Sequence, residues 1–165
     1  IRRCDGYGLS DQVSLVHGDI LSLDLPHAFD IVHSREVFLH IHDKATLFET
    51  LHRALNAGGQ LLFTDYCCGP DKASETFQAY LDEFGYDLRR VDVIGSLLIE
   101  AGFAGVQATD ITHQFIEIHQ RELDQLANSG LSEASQEELR IGWLAKIERA
   151  ERGEQRWGLF QARVE

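Results

Sequence analysis

An α/β fold with a mostly parallel sheet is the class this sequence predicts, on three observations. Short apolar runs of strand character alternate with longer runs whose apolar residues recur at helical spacing, the order expected of such folds. The run QLLFTDY at 60–66 is nearly continuously apolar, as in a strand covered on both faces. The chain has 165 residues, only 2 prolines, and no repeat, low-complexity tract or Gly/Ser-rich linker, which favours one domain.

The elements follow in order. Residues 13–17 (VSLVH) alternate apolar and polar before the turn at Gly18-Asp19, and predict a short strand. A second strand is predicted at 29–34 (FDIVHS), after the breaker Pro26. Asp43 is a candidate N-cap for a helix through Asn56, with Leu47, Phe48, Leu51 and Leu55 on one face and Gly58-Gly59 as its stop. The apolar strand 60–66 comes next. Helices are predicted at 74–84 and at about 90–101, the second closed by Gly102. A strand at 106–111 precedes helices at 113–128 and 132–152, and Ser132, Ser135 and Gln136 supply capping chemistry for the latter. An alternating strand at 156–164 ends the series.

Composition sets limits on function. Charged residues make up 25% and hydrophobic residues 44%, an ordinary globular balance. Asp and Glu number 27 against 15 Lys and Arg, a net charge of -12, which repels a phosphodiester backbone and argues against nucleic acid as a partner. No apolar run is long enough to span a membrane as a helix, and no signal-peptide pattern opens the chain. Three cysteines (Cys4, Cys67, Cys68), two of them adjacent, argue against a disulfide framework and fit a reduced, cytoplasmic protein. The sequence has no methionine and starts at Ile1, so the expectation is a chain that begins inside a domain.

In open α/β sheets ligands sit outside the carboxyl ends of the strands. Three such ends are distinctive: Gly18-Asp19-Ile20, the segment Ser34-Arg35-Glu36-Val37-Phe38-Leu39-His40-Ile41, and Thr64-Asp65-Tyr66-Cys67. With FDIVHSREVFLHIHDKATLF, GGQLLFTDYC, YDLRRVDVIGSLLIEAGF and GEQRWGLF, they resemble the phosphoethanolamine N-methyltransferase family. These are class I methyltransferases dependent on S-adenosylmethionine. The similarity runs from about Val13 to the C-terminus.

The resemblance implies a Rossmann-like fold whose first strands and Gly-rich cofactor loop are not in this sequence. Residues 1–165 would then be the C-terminal two-thirds of a domain, short by roughly 80–100 residues and inactive alone. Gly6 and Gly8 follow no apolar strand and have the wrong spacing for that loop, so they read as a surface turn. The implied reaction moves a methyl group from S-adenosylmethionine to the amine of phosphoethanolamine or its methylated forms, in phosphocholine synthesis.

The resemblance also assigns roles. Asp19 and Ile20 would contact the adenine, where a carboxylate accepts from the exocyclic amine. Ser34 and Arg35 would border the cofactor. Glu36 would lie near the reacting nitrogen, where the family usually carries Asp, and a fixed negative charge favours a developing ammonium. His40 would help remove the amine's proton, a task suited to an imidazole. Tyr66, Tyr80, Tyr86 and Lys146 would hold the phosphate. Each has a plainer alternative: a turn Asp, a helix-entry acid, a surface histidine, packed tyrosines and an exposed helix lysine.

Phe84 departs from the family, which has an arginine there able to fork onto phosphate. An unphosphorylated acceptor therefore stays open, as does a non-catalytic fragment or scaffold. Trp157, Phe160, Cys67 and Cys68 read as structural. His33, His40 and His42 match no metal-site spacing, so no metal is expected. The only partner expected is a small amine substrate, and the oligomeric state is left open.

Overall fold

The computed structural model describes residues 6–9 and 11–165; Cys4 and the other N-terminal residues before Gly6 lie outside them. Four strands form one sheet: β1 (Phe29–Arg35), β2 (Leu55–Cys68), β3 (Ala104–Asp110) and β4 (Gln155–Arg163), in the order β1-β2-β4-β3. β1 pairs parallel with β2, while β4 pairs antiparallel with both β2 and β3. β1, β2 and β3 thus share one direction and β4 runs against them. The expectation of a mostly parallel sheet holds for strand direction; two of the three pairings are nonetheless antiparallel because β4 is inserted between β2 and β3.

Five helices of three turns or so and longer connect the strands: α1 (Lys44–Ala54), α2 (Glu75–Phe84), α3 (Val91–Glu100), α4 (Thr112–Leu126) and α5 (Glu133–Glu151). Asp43 caps α1 as expected, accepting from the Thr46 N–H at 3.0 Å and the Thr46 hydroxyl at 2.7 Å. Leu47, Phe48 and Leu51 form its buried face. Ser74 caps α2 and Ser132 caps α5, each accepting a backbone N–H at 3.2 Å. α2 stops at Gly85 (φ 64), where Tyr86 N–H bonds back to Leu81 O at 2.9 Å. This left-handed turn delivers Tyr86 to the site.

One face of β2 buries Leu61, Phe63 and Cys67 in the main core. Phe63 stacks on Phe160 of β4 at 4.6 Å and meets Phe38 edge-on at 5.0 Å. The other face carries Thr64 and Tyr66, half-buried, toward the candidate site. Burial therefore alternates along β2, rather than covering both faces as the apolar run implies.

Two expectations are corrected. α1 ends at Ala54, not Asn56, because Leu55 is drawn into the sheet opposite Phe29 and is fully buried. Gly58 and Gly59 do not stop the helix. They lie within β2, where Gly58 N–H donates to Val164 O and Gly59 O accepts from Val164 N–H. A Cβ on Gly59 would come within 2.8 Å of Asn56 O, so the chain needs glycine there. Residues 13–17 form no strand. They have no ladder partner among the described residues, and Val13, Leu15 and Val16 are exposed. Alternation specifies a strand only when a neighbour takes its backbone hydrogen bonds.

Gly8 lies in an exposed turn, as expected, whereas Gly6, also exposed, is helical. Among the described residues no helix is long and apolar enough to cross a membrane.

Candidate active site

The carboxyl ends of β1 and β2, the start of β4, and helices α4 and α5 meet around a cavity of about 170 Å³. Arg35, Glu36, Tyr66, His119, Lys146 and Trp157 are among its lining residues. Larger hollows exist. One of about 580 Å³ is lined by Cys68, Arg90, Asp92, Asp110 and Arg156. Its charges neutralise each other in Arg90–Asp92 and Arg156–Asp110 pairs, and burial pushes the Cys68 thiol up. The smaller cavity is lined by a carboxylate fixed by three side chains, Glu36, and by an ammonium, Lys146, with no ion-pair partner among the described residues, so the chemistry points there.

Glu36 is the best-fixed of the expected residues. Its φ of 47° is uncommon for a side chain with a Cβ, and such strain persists where surroundings over-determine it. They do so here. Its backbone N–H donates to Thr64 O at 2.9 Å. Its Oε1 accepts from the Thr64 hydroxyl at 2.6 Å and from Trp157 Nε1 at 2.9 Å, and Arg35 Nε donates to its Oε2 at 2.9 Å. Trp157 is therefore not mere packing: its indole N–H aims the carboxylate. Sequence reasoning missed this because residues 36 and 157 are distant in the chain.

Tyr66 meets Phe115 edge-on, and Lys146 Nζ lies 5.8 Å from the Tyr66 ring centre. Burial pushes the Tyr66 hydroxyl up, so it remains protonated and can donate. Burial also pulls the Lys146 ammonium down. Tyr80 and Tyr86 sit edge to face at 5.7 Å, and His40 meets Tyr86 at 5.1 Å. Phe84 lies against both tyrosines, 5.0 Å from Tyr80 and 5.5 Å from Tyr86. The structure thus groups Glu36, Arg35, Tyr66 and Lys146 in one cavity, with His40, Tyr80 and Tyr86 in an aromatic cluster beside it.

Asp19 and Ile20 belong to a separate place, a 3₁₀ turn at Ile20–Ser22. Asp19 Oδ1 accepts from Leu21 N–H at 3.0 Å, and Ile20 packs partly against the core. Ser34 is a half-buried residue of β1, opposite Phe63. Among the described residues no group of three or more His, Cys, Asp or Glu could hold a metal. His33 and His42 are exposed and His52 packs on Phe103.

His119 and Asp65 were not singled out by sequence. His119 is buried, its Nδ1 2.8 Å from Phe115 O, and burial lowers its basicity. Asp65 is 3% exposed on β2, and its Oδ1 has no partner among the described residues. Burial pushes its carboxyl up to about 7, against the pull of the Lys44 ammonium and of backbone N–H groups at Tyr66 and Leu39. The folded form therefore holds a proton that the unfolded chain, with its ordinary carboxyl near 3.8, has released. This contribution is fully present below about pH 4 and lost as pH rises through about 7. Asp65→Asn is expected to flatten that decline. Urea midpoints of both proteins at pH 5 and pH 8 check it, and equal pH slopes would refute it.

Comparison with known proteins bears on this arrangement. The sequence profile of a methyltransferase domain matches residues 2–63. Phosphoethanolamine N-methyltransferase 1 of Zea mays is 45% identical over 142 residues, covering 82% of this chain and 28% of the maize protein. Phosphoethanolamine N-methyltransferase of Plasmodium falciparum is 30% identical over 154 residues, covering 87% of this chain and 58% of that protein. A solved structure of Haemonchus contortus phosphoethanolamine N-methyltransferase 2, with phosphomonomethylethanolamine and S-adenosylhomocysteine, superposes with a TM-score of 0.82. It is 28% identical, covering 88% of this chain and 36% of that one. The chain thus spans roughly a third of the plant and nematode proteins, and its fold superposes on that of the nematode structure. By sequence and by fold, the chain is similar over most of its length to phosphoethanolamine N-methyltransferases.

Proposed function

We propose that this site serves methyl transfer from S-adenosylmethionine to the amine of phosphoethanolamine or its methylated forms. The observation that carries the reading is a cavity of about 170 Å³ with a fixed carboxylate, Glu36, and an ammonium, Lys146, both in its lining. A small zwitterion, ammonium at one end and phosphate at the other, matches that pairing of charges. Relatives named for this substrate, and a neighbour solved with its monomethyl form, support it.

Asp19 and Ile20 fit the adenine end of the cofactor. Only one Asp19 oxygen is recorded as engaged, with Leu21 N–H, which leaves acceptor capacity for an exocyclic amine. Ser34 and Arg35 flank the approach to Glu36. When bound, the cofactor supplies an electrophilic methyl group on a sulfonium. Glu36 holds the acceptor nitrogen and favours its positive charge as the new bond forms. His40, set beside Tyr86 at an exposed position, takes the proton from the amine. Tyr66, Tyr80 and Tyr86 donate hydroxyls, and Lys146 a charge, to the phosphate. The net charge of -12 supports a small acceptor over nucleic acid, and the free thiols Cys67 and Cys68 support a reducing, cytoplasmic setting.

Methyl transfer to phosphoethanolamine and to ethanolamine, measured on the natural polypeptide that carries this sequence, tests the reading. Phosphoethanolamine is expected to have a kcat/KM higher by at least about tenfold, the worth of one charge-assisted contact. Phe84, uncharged among the tyrosines, favours the rival unphosphorylated acceptor, and equal use of ethanolamine would establish that rival instead. His40→Ala is expected to slow transfer by about a hundredfold or more, with S-adenosylmethionine binding by calorimetry unchanged. An unaltered rate would remove His40 as base.

A further inference from the structure

We propose that Arg149 is a second cation of the acceptor site, which with Lys146 receives the phosphate dianion and sets the preference for a phosphorylated amine. This rests on the reading of the site given above and adds a residue to it.

Lys146 and Arg149 are three residues apart on α5, so both project from one face of the helix. Each lies against a tyrosine expected to hold phosphate: Lys146 Nζ is 5.8 Å from the centre of Tyr66, and Arg149 Cζ is 4.0 Å from the centre of Tyr80. Arg149 is also anchored from behind. Its Nε donates to Oε1 of Gln155 at 2.9 Å, and Gln155 is 1% exposed. Stacking on one side and that hydrogen bond on the other fix the guanidinium plane. Its two terminal nitrogens have no recorded hydrogen bond among the described residues, and they are the pair that forks onto phosphate oxygens.

The charge pattern points the same way. Acids outnumber bases 27 to 15, and Arg35, Lys44, Arg89, Arg90, Arg140, Arg152 and Arg156 all pair with carboxylates. Among the described residues, Lys146 and Arg149 have no carboxylate within pairing distance, and nor do Arg53, Lys72, Arg121 and Arg163; only Lys146 and Arg149 of these six lie against the site's tyrosines. Burial lowers the Lys146 basicity first and the Arg149 charge lowers it further, against the pull of the Glu122 and Glu36 carboxylates. Two half-buried cations held in mutual repulsion, in a chain with acids to spare, are suited to an external dianion. A phosphate monoester carries about -1.5 to -2 charges near pH 7, enough to answer both. Phe84, 5.0 Å from Tyr80, brings no charge, so a guanidinium reaches this tyrosine only from Arg149 among the described residues.

The test compares Arg149→Met and Arg149→Lys with the parent protein. Arg149→Met is expected to raise KM for phosphoethanolamine roughly 10- to 100-fold, the range for a lost charge-assisted contact. KM for ethanolamine and affinity for S-adenosylmethionine should not move, and inorganic phosphate should lose its power to compete. Arg149→Lys should recover part of the loss, since the ammonium keeps charge but not the fork. It also carries the test if the methionine variant does not fold by circular dichroism. Unchanged KM and unchanged phosphate competition in a folded variant would overturn the role of Arg149 while leaving the methyltransferase reading intact. A parent protein that binds inorganic phosphate through Arg149 but methylates no amine would uphold the phosphate site and sink the reaction. An equal rise in KM for both amines would mean a structural role only, and would also overturn the proposal.

Discussion

Lys44→Met is expected to lower stability by about 3–5 kcal/mol and to loosen the segment that bears His40. Lys44 is the first residue of α1 and is 4% exposed. Its ammonium donates to Phe38 O at 3.0 Å, Ile41 O at 2.5 Å, Asp87 O at 3.0 Å and Asp87 Oδ2 at 3.2 Å. Phe38 and Ile41 bracket the 3₁₀ turn that ends in His40, and Asp87 follows Tyr86. A second tie, Asp87 N–H to Leu39 O at 2.8 Å, runs between the same two segments. Lys44 thus sets the distance at which His40 meets Tyr86. Methionine fills the space of the stem but leaves Ile41 O and Asp87 O without their donor, each costly once buried, while Phe38 O keeps the Ile41 N–H. Asp87 keeps Arg89, which limits the damage on the acid side. Urea denaturation at pH 7 measures the loss, and a change below about 1 kcal/mol would make Lys44 no more than a surface pair. The variant should also transfer methyl groups more slowly at unchanged affinity for S-adenosylmethionine.

Lys44 marks the limit of what the chain discloses. In sequence it is one cation after an N-cap, at the end of a helix where positive charge is mildly unfavourable. Nothing local says that it is buried, because its partners lie across a turn and 43 positions away at Asp87. What was legible rests on local signals. Capping chemistry at Asp43 and Ser132 placed two helix starts. The closing strand was legible from its alternation, and its neighbours were not. Insertion of β4 between β2 and β3 is a pairing choice that periodicity leaves open. The family motifs brought Glu36, Tyr66, Tyr80, Tyr86 and Lys146 into view together; the structure puts Glu36, Tyr66 and Lys146 on one cavity and Tyr80 and Tyr86 in an aromatic cluster. Trp157, Asp65 and Arg149 escaped because their roles come from tertiary contacts. An indole, an acid in an apolar strand and a helix arginine all have ordinary explanations until the sheet assembles.

Glu36→Gln should be the most damaging isosteric change in the site, slowing methyl transfer by roughly 10²–10³-fold with the fold retained. The amide keeps the length and one acceptor oxygen, so Trp157 Nε1 and the Thr64 hydroxyl can still be met. The backbone at φ 47° is unchanged, and the change removes charge without adding strain. On the proposed reading, what goes is the negative field at the point where nitrogen becomes cationic. Because that charge grows along the reaction, the loss should fall on kcat more than on KM for the acceptor. Arg35 loses its carboxylate partner too, but it is 76% exposed and solvent replaces the pair at little cost. Glu36→Asp separates charge from reach. It keeps the carboxylate and shortens it by one methylene, so a rate well above that of the glutamine variant is expected, with the Trp157 hydrogen bond lengthened. Trp157→Phe completes the argument, since it leaves Glu36 charged and removes one of the donors that aim it. If position matters as the geometry implies, the rate falls by about tenfold or more while tryptophan-independent measures of stability shift little. Parent-like kcat in Glu36→Gln would show that the strained, thrice-held carboxylate serves the fold alone.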